Sequence, residues 1–181
     1  IGDLSIKLIQ LRNRSLLYRE PHYELMNIRE TSLQPGLIVN GELQQPEELR
    51  KRIAKMLHGL NAKQKPIRSP WVVAALPETQ SFIKMIQIKK PLGELVDSDI
   101  LTVAKKHIPF DEDNYYLQWQ IIPNGSGPNA TNVLLGAIPK LIADSYTYLL
   151  ESLGLGVISL EIEALSIARS MVTAKKEYID E

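Results

Sequence analysis

The sequence predicts an α/β protein in which a mixed sheet is flanked by helices. Three observations carry that expectation. Apolar and polar residues alternate in short runs at Leu4 to Leu8, Leu117 to Ile121 and Ile158 to Ile162, the period of half-buried strands. Continuous apolar runs stand at Trp71 to Leu76 and Val133 to Ile138, as in strands buried on both faces. Other segments repeat apolar residues at helical spacing, opened by Pro or Asp and closed by Gly or Asn.

The elements follow in order. Leu4, Ile6 and Leu8 mark a first strand, and Asn13-Arg14-Ser15 is turn chemistry. His22 to Thr31 reads as extended, with Tyr23, Leu25 and Ile28 inward. Pro35-Gly36 breaks the chain, and Asn40-Gly41 after Leu37-Ile38-Val39 is a strong turn pair. Pro46 suits a first helical position, with Glu47 and Glu48 placed for the helix dipole. Leu49, Ile53, Met56, Leu57 and Leu60 form the apolar face of that helix, which ends at Gly59 and Asn61. Lys51, Arg52 and Lys55 lie on its solvated side. Lys63 to Pro70 is a basic, proline-bounded connection to the strand at Trp71, which Pro77 stops.

A second strand runs over Phe82 to Lys89 and is broken by Pro91 and Gly93. Asp97 is placed to cap a helix from Ser98 to His107, with Ile100, Val103, Ala104 and Ile108 inside. Tyr116 to Ile122 is a strand with one wet face. The low-complexity loop from Asn124 to Thr131 is the expected mobile segment. After the strand from Val133, Pro139 opens a helix with Leu141, Ile142, Ser145, Leu149 and Leu153 on one side, closed by Gly154 and Gly156. The strand at Ile158 and a final helical stripe of Ala164, Ile167, Ala168, Met171 and Val172 complete the chain. No internal repeat is visible.

The totals exclude several functions. The chain has 181 residues, a length that suits one domain, or one domain carrying a small insertion, and its 21 basic and 21 acidic side chains cancel. That balance argues against nucleic acid as a partner and against direct membrane attraction. No Cys is present, so thiolate metal sites and disulfides are excluded. No secretory signal is visible, the cytoplasm is the expected compartment, and the tripeptides at Asn13, Asn124 and Asn129 read as chance matches to a glycosylation acceptor. His22, His58 and His107 make no ligand pattern, and Asp111-Glu112-Asp113 reads as a solvated loop, so no metal site is expected. Tyr115, Tyr116 and Trp119 read as packing residues. No Ser-His-Asp or Cys-His nucleophile is present, and no catalytic residue is assigned.

Three opening strands followed by alternating helices and strands is the RNase H-like order, the plan of half an actin-like ATPase. The opening strands are then expected to pair beside the strand at Trp71. Specific segments narrow this. Ile1-Gly2-Asp3-Leu4-Ser5-Ile6-Lys7-Leu8-Ile9-Gln10-Leu11, then Leu33-Gln34-Pro35-Gly36-Leu37-Ile38-Val39-Asn40-Gly41-Glu42-Leu43, then Trp71 to Pro77, Ile108-Pro109-Phe110, and Gly154-Leu155 through Ala168 occur in one order. Together they resemble the N-terminal half of the type IV pilus assembly protein PilM family, relatives of the cell-division protein FtsA. The first segment matches that family's Asp-Ile-Gly turn from its second residue onward.

The resemblance implies a main subdomain over 1–78 and 127–181, with a small α+β strand–helix–strand subdomain inserted at 79–126. It implies ATP with magnesium in the cleft of the full-length protein, the first phosphate turn being Gly2, Asp3, Leu4, Ser5 and Lys7. There Gly2 and the backbone of Asp3 to Ser5 would offer N–H donors, Ser5 a hydroxyl and Lys7 a cation. Two departures stand out. The Asp that precedes Ile1 in the family is absent, and Asp3 stands where the family carries Ser. The second phosphate turn is expected beyond Glu181. This chain alone is therefore expected to bind ATP weakly or not at all and to be inactive, the full-length protein being at most a weak ATPase.

The resemblance also implies a scaffold at the inner face of the inner membrane, touching the membrane only indirectly. It would hold the short cytoplasmic tail of a PilN-like pilus protein in a groove between the two subdomains, and self-association fits such a scaffold. An FtsA-like division filament, or a fragment of a sugar-kinase-like or heat-shock-chaperone-like phosphotransferase, is the alternative. The segments at Leu33 to Leu43 and Ile108 to Phe110 favour the pilus relative over the first, and the strand–helix–strand insert before Ala137 over the second.

Overall fold

The computed structural model describes residues 1–15, 22–109, 111–122 and 129–177. Phe110, most of the loop from Asn124, and Asp180 and Glu181 lie outside them. The chain divides into two compact units, Ile1–Ala75 with Ser145–Glu161, and Leu76–Asp144 with Ile162–Glu181.

In the first unit, β1 (Ser5–Asn13) and β2 (Tyr23–Ser32) pair antiparallel from Ser5↔Ser32 to Asn13↔Tyr23. The register slips between Gln10 and Leu11, which leaves Met26 without a direct partner. The slip helps set which face is wet. Ile6 is buried, but Tyr23, Leu25 and Ile28, expected inward, are exposed, and Arg29 points in instead, 2% accessible. Arg29 finds polar company there. Its guanidinium donates to the carbonyl oxygens of Met56, Leu57 and Lys65, supplying donors at the end of a helix, where the last carbonyls have no intrahelical partner. Its Nε has no partner among the described residues.

That helix is α1 (Pro46–His58), and it follows its sequence pattern closely. Pro opens it, Glu47 and Glu48 occupy its first turn, and Leu49, Ile53 and Met56 are buried. They pack with Ile6, Leu33, Leu37, Ile38 and Leu149 in the core of this unit. Between β2 and α1, the two-residue strands β3 (Ile38–Val39) and β4 (Glu42–Leu43) flank the Asn40-Gly41 turn. Both turn residues have positive φ, 50° and 81°, as this kind of hairpin turn requires.

The opening strands do not pair beside β5 (Trp71–Leu76), contrary to the expectation. Among the described residues β1–β2, β3–β4 and β5–β9 are separate two-stranded sheets, β9 being Gly156–Ile162. The Gly156 N–H donates to Pro70 O at 2.7 Å and starts β9 against β5. A Cβ at Gly156 would fall 2.5 Å from the Trp71 ring, so the absence of a side chain lets the ring lie there. With one partner strand, β5 is not buried on both faces: Trp71 and Val73 are 63% and 56% exposed.

The second unit holds a three-stranded antiparallel sheet with β8 (Thr131–Pro139) between β6 (Phe82–Ile88) and β7 (Tyr115–Ile122). The sequence placed β8 in the main body, after an insert ending at 126. It sits here because β6 and β7 are long enough to pair with it along their whole length, from Phe82↔Ala137 to Ile88↔Thr131 and from Tyr115↔Pro139 to Ile122↔Asn132. Val133, Leu135 and Ala137 then share one core with Ile86, Ile88 and α2 (Asp97–Ala104), which contributes Ile100 and Ala104. Thr131, fully buried, donates to Lys90 O at 2.9 Å and ties the start of β8 to the end of β6. Val96 rather than Asp97 holds the cap position of α2. Asp99 reaches back to accept the Val96 N–H at 3.2 Å.

α3 (Lys140–Glu151) starts one residue after Pro139. Its buried side is Ile142, Ala143, Tyr146, Leu149 and Leu150, whereas Leu141 is 80% exposed. In α4 (Glu163–Glu177), Ile167 and Met171 are exposed, so the expected inner stripe does not face a core there.

Candidate functional site

The N-terminal turn is built by one internal hydrogen bond and one longer-range clasp. Gly2 N–H donates to Ser5 O at 2.9 Å and closes the turn. The Asp3 carboxylate leaves the turn and accepts two backbone donors of the hairpin turn, Asn40 N–H on Oδ2 and Gly41 N–H on Oδ1, both at 3.1 Å. Successive N–H groups in such a turn form a small anion-binding concavity, and here the anion is Asp3. Leu33 N–H donates to Leu4 O at 2.8 Å, fastening the other side of the turn.

A buried helix side chain completes the arrangement. Tyr146 of α3 is fully buried, and its hydroxyl donates to Gly41 O at 3.0 Å. Gly41 is thus held from both sides, its N–H by Asp3 and its carbonyl by Tyr146. Burial pushes the Tyr146 hydroxyl pKa well above its ordinary value, and the Asp3 carboxylate adds to that. The sequence reading missed Tyr146, although it sits four residues after Ile142 and three before Leu149, on the stripe already recognised.

The five residues expected to form a phosphate turn are placed as follows. Gly2, Asp3, Leu4 and Ser5 share one turn. Ser5 is half-buried and opens β1, and Lys7 follows two residues on, exposed, on the same strand face and opposite Glu30. Leu4 is 64% exposed and contributes backbone only. The Gly2 N–H is engaged within the turn, and the Asp3 carboxylate accepts without donating. Of the five, Ser5 brings a hydroxyl and Lys7 an ammonium to the strand that leaves the turn.

An open groove of about 380 Å³ lies in the same unit. Leu43, Pro46 and Leu149 give it an apolar floor, and Tyr148 on α3 stands 71% exposed beside it. The Arg50–Glu47 ion pair, 3.1 Å, borders it. Among the described residues no group of His, Asp or Glu could hold a metal ion. Among the same residues no helix is long and apolar enough to cross a membrane.

Comparison with known proteins gives a consistent result. A family profile described as type IV pilus assembly protein PilM matches residues 1–180. No curated protein matches the chain significantly. Among solved structures the chain is similar to one titled PilM-PilN type IV pilus biogenesis complex, with a TM-score of 0.72 and 20% identity over 91% of this chain. It is also similar to the cytoplasmic domain of EpsL, an inner-membrane component of the type II secretion system of Vibrio cholerae, with a TM-score of 0.44 and 13% identity over 76% of this chain. The chain spans 46% of the length of each of those two chains. The first likeness establishes a mixed α/β fold similar to that of the longer chain.

Proposed function

The chain belongs to the type IV pilus assembly protein PilM family, and on that premise we propose that it is part of an actin-like scaffold that holds a short peptide from the cytoplasmic side of a PilN-like inner-membrane protein. The observation that carries this reading is the family match from residue 1 to 180, supported by a TM-score of 0.72 to a chain of a PilM–PilN complex. An extended peptide meeting a groove or strand edge is a general binding mode in which backbone hydrogen bonds give affinity and side-chain pockets give specificity. ATP with magnesium is the proposed ligand of the full-length protein, with Ser5 and Lys7 meeting a phosphate and the turn of Gly2 to Ser5 setting their positions. Magnesium would shield phosphate charge.

The test is calorimetric titration of the full-length protein with a synthetic peptide of the PilN-like tail. Saturable 1:1 binding in the micromolar range is expected. Absence of heat at high peptide concentration, with the protein folded by circular dichroism, sinks the reading. A parallel titration of ATP into residues 1–181 alone should give weak or no binding. Micromolar affinity there would overturn the assignment of only part of the phosphate site to this chain.

A further inference from the structure

Charge is unevenly placed along this neutral chain. Between Glu48 and Glu78 there is no acidic residue, while seven Lys and Arg residues and His58 occur. Two of the seven are spent, since Arg50 pairs with Glu47 and Arg52 with Glu48, each at 3.1 Å. Lys51, Lys55, Lys63, Lys65 and Arg68 remain, all exposed. Lys51, Lys55 and His58 are four and three residues apart, so they form one stripe along α1.

The segment after α1 is fastened to the end of that helix. Ile67 N–H donates to Leu57 O at 2.8 Å, Leu60 N–H donates to the Gln64 side chain at 2.8 Å, and Arg29 bridges Leu57 O and Lys65 O. The basic connection is therefore held against the C-terminal end of the helix that carries the basic stripe. An open recess of about 470 Å³ lies at this junction. Leu57, Ile67, Leu153 and Leu155 supply its apolar lining, and His58 and Arg68 are its ionisable groups.

We propose that this surface docks an acidic polypeptide segment that carries apolar side chains between its carboxylates. A recess with four apolar side chains and Arg68 in its wall, on a stretch whose other exposed cations have no acidic neighbour in sequence, matches such a segment in charge and in chemistry. A bilayer fits less well. It offers the cations a flat layer of polar headgroups and nothing that would fill a recess. This surface is separate from the turn at Gly2 to Ser5, and its test does not use the PilN-like tail, so the two readings fail independently.

The probe is a fluorescein-labelled decapeptide of alternating Glu and Leu, read by fluorescence anisotropy with the full-length protein. Saturable binding that weakens with added salt is expected. The double variant Lys51→Glu/Lys55→Glu and the single variant Arg68→Glu change exposed side chains and should stay folded by circular dichroism. Each should weaken binding on the order of tenfold, and a Lys–Leu decapeptide should not bind. Failure of the Glu–Leu decapeptide to bind, or affinity that neither variant changes, overturns the proposal. Binding through these residues to phosphatidylglycerol vesicles but not to the decapeptide also overturns it, in favour of a membrane.

Discussion

Replacing Tyr146 by Phe separates two contributions that the structure places on one hydroxyl. At neutral pH the hydroxyl donates to Gly41 O at 3.0 Å inside the core. Its removal leaves a carbonyl short of a donor and costs about 1 kcal/mol. At high pH the sign reverses. The folded protein holds Tyr146 protonated far above the ordinary tyrosine range, because burial and then the Asp3 carboxylate oppose the phenolate. The unfolded chain releases that proton near pH 10. The contribution of this group is therefore complete below about pH 10 and is lost as pH rises from there toward the folded-state pKa, at about 1.4 kcal/mol per pH unit. The phenyl ring of the variant has no proton to lose. By about pH 10.7 the wild-type penalty reaches roughly 1 kcal/mol and equals the lost hydrogen bond, so the two stability curves should cross there. Urea unfolding followed by far-ultraviolet circular dichroism, run on both proteins between about pH 7 and 11, reads the difference directly. Parallel curves across that range would refute the placement of Tyr146.

Two further outcomes follow from local geometry. Gly59→Ala should destabilise by about 1–3 kcal/mol, because φ there is 123° and a Cβ would lie 2.7 Å from Gln64 O; Gly93→Ala, where a Cβ meets nothing within 4 Å, should change the melting temperature little. In the second unit Lys90 holds both oxygens of Asp99 at 2.7 Å, and that contact, then the Val96 N–H, lowers the Asp99 pKa. Its stabilising effect is present above the ordinary carboxylate pKa and disappears as pH falls through the lower folded value, so Asp99→Asn should flatten the acid end of the stability profile.

The parts that local chemistry decides were legible in the sequence. α1 could be placed from Pro46, its two glutamates and a stripe from Leu49 to Met56, because each signal acts within one or two turns. The Asn40-Gly41 turn was equally plain, since few residue pairs tolerate two positive φ values. The phase of β2 was not. A register slip beside Met26 puts Tyr23 and Leu25 out of phase with Arg29, which turns in to meet carbonyls at a helix end, and neither is visible in an alternating pattern. The place of β8 was hidden for another reason. A continuous apolar strand fits the middle of any sheet, and full-length pairing with β6 and β7 decided which one. Gly2 to Ser5 were read as one turn, and they are one, but the partner of Asp3 lay 37 and 38 residues away.

That partner bears on how a phosphate could approach the turn. A carboxylate at Asp3 would repel a phosphate close by if its charge were free. In this chain the carboxylate faces the Asn40 and Gly41 amides, one oxygen to each, and Tyr146 holds Gly41 from the other side. Two donors on one carboxylate hold its charge on the hairpin turn and fix its direction. Ser5 and Lys7 lie further along β1. Under the proposed function, the negative charge is therefore anchored on the hairpin turn, while the groups that meet phosphate are those the strand carries onward. Asp3 then acts on nucleotide only through the position of the turn.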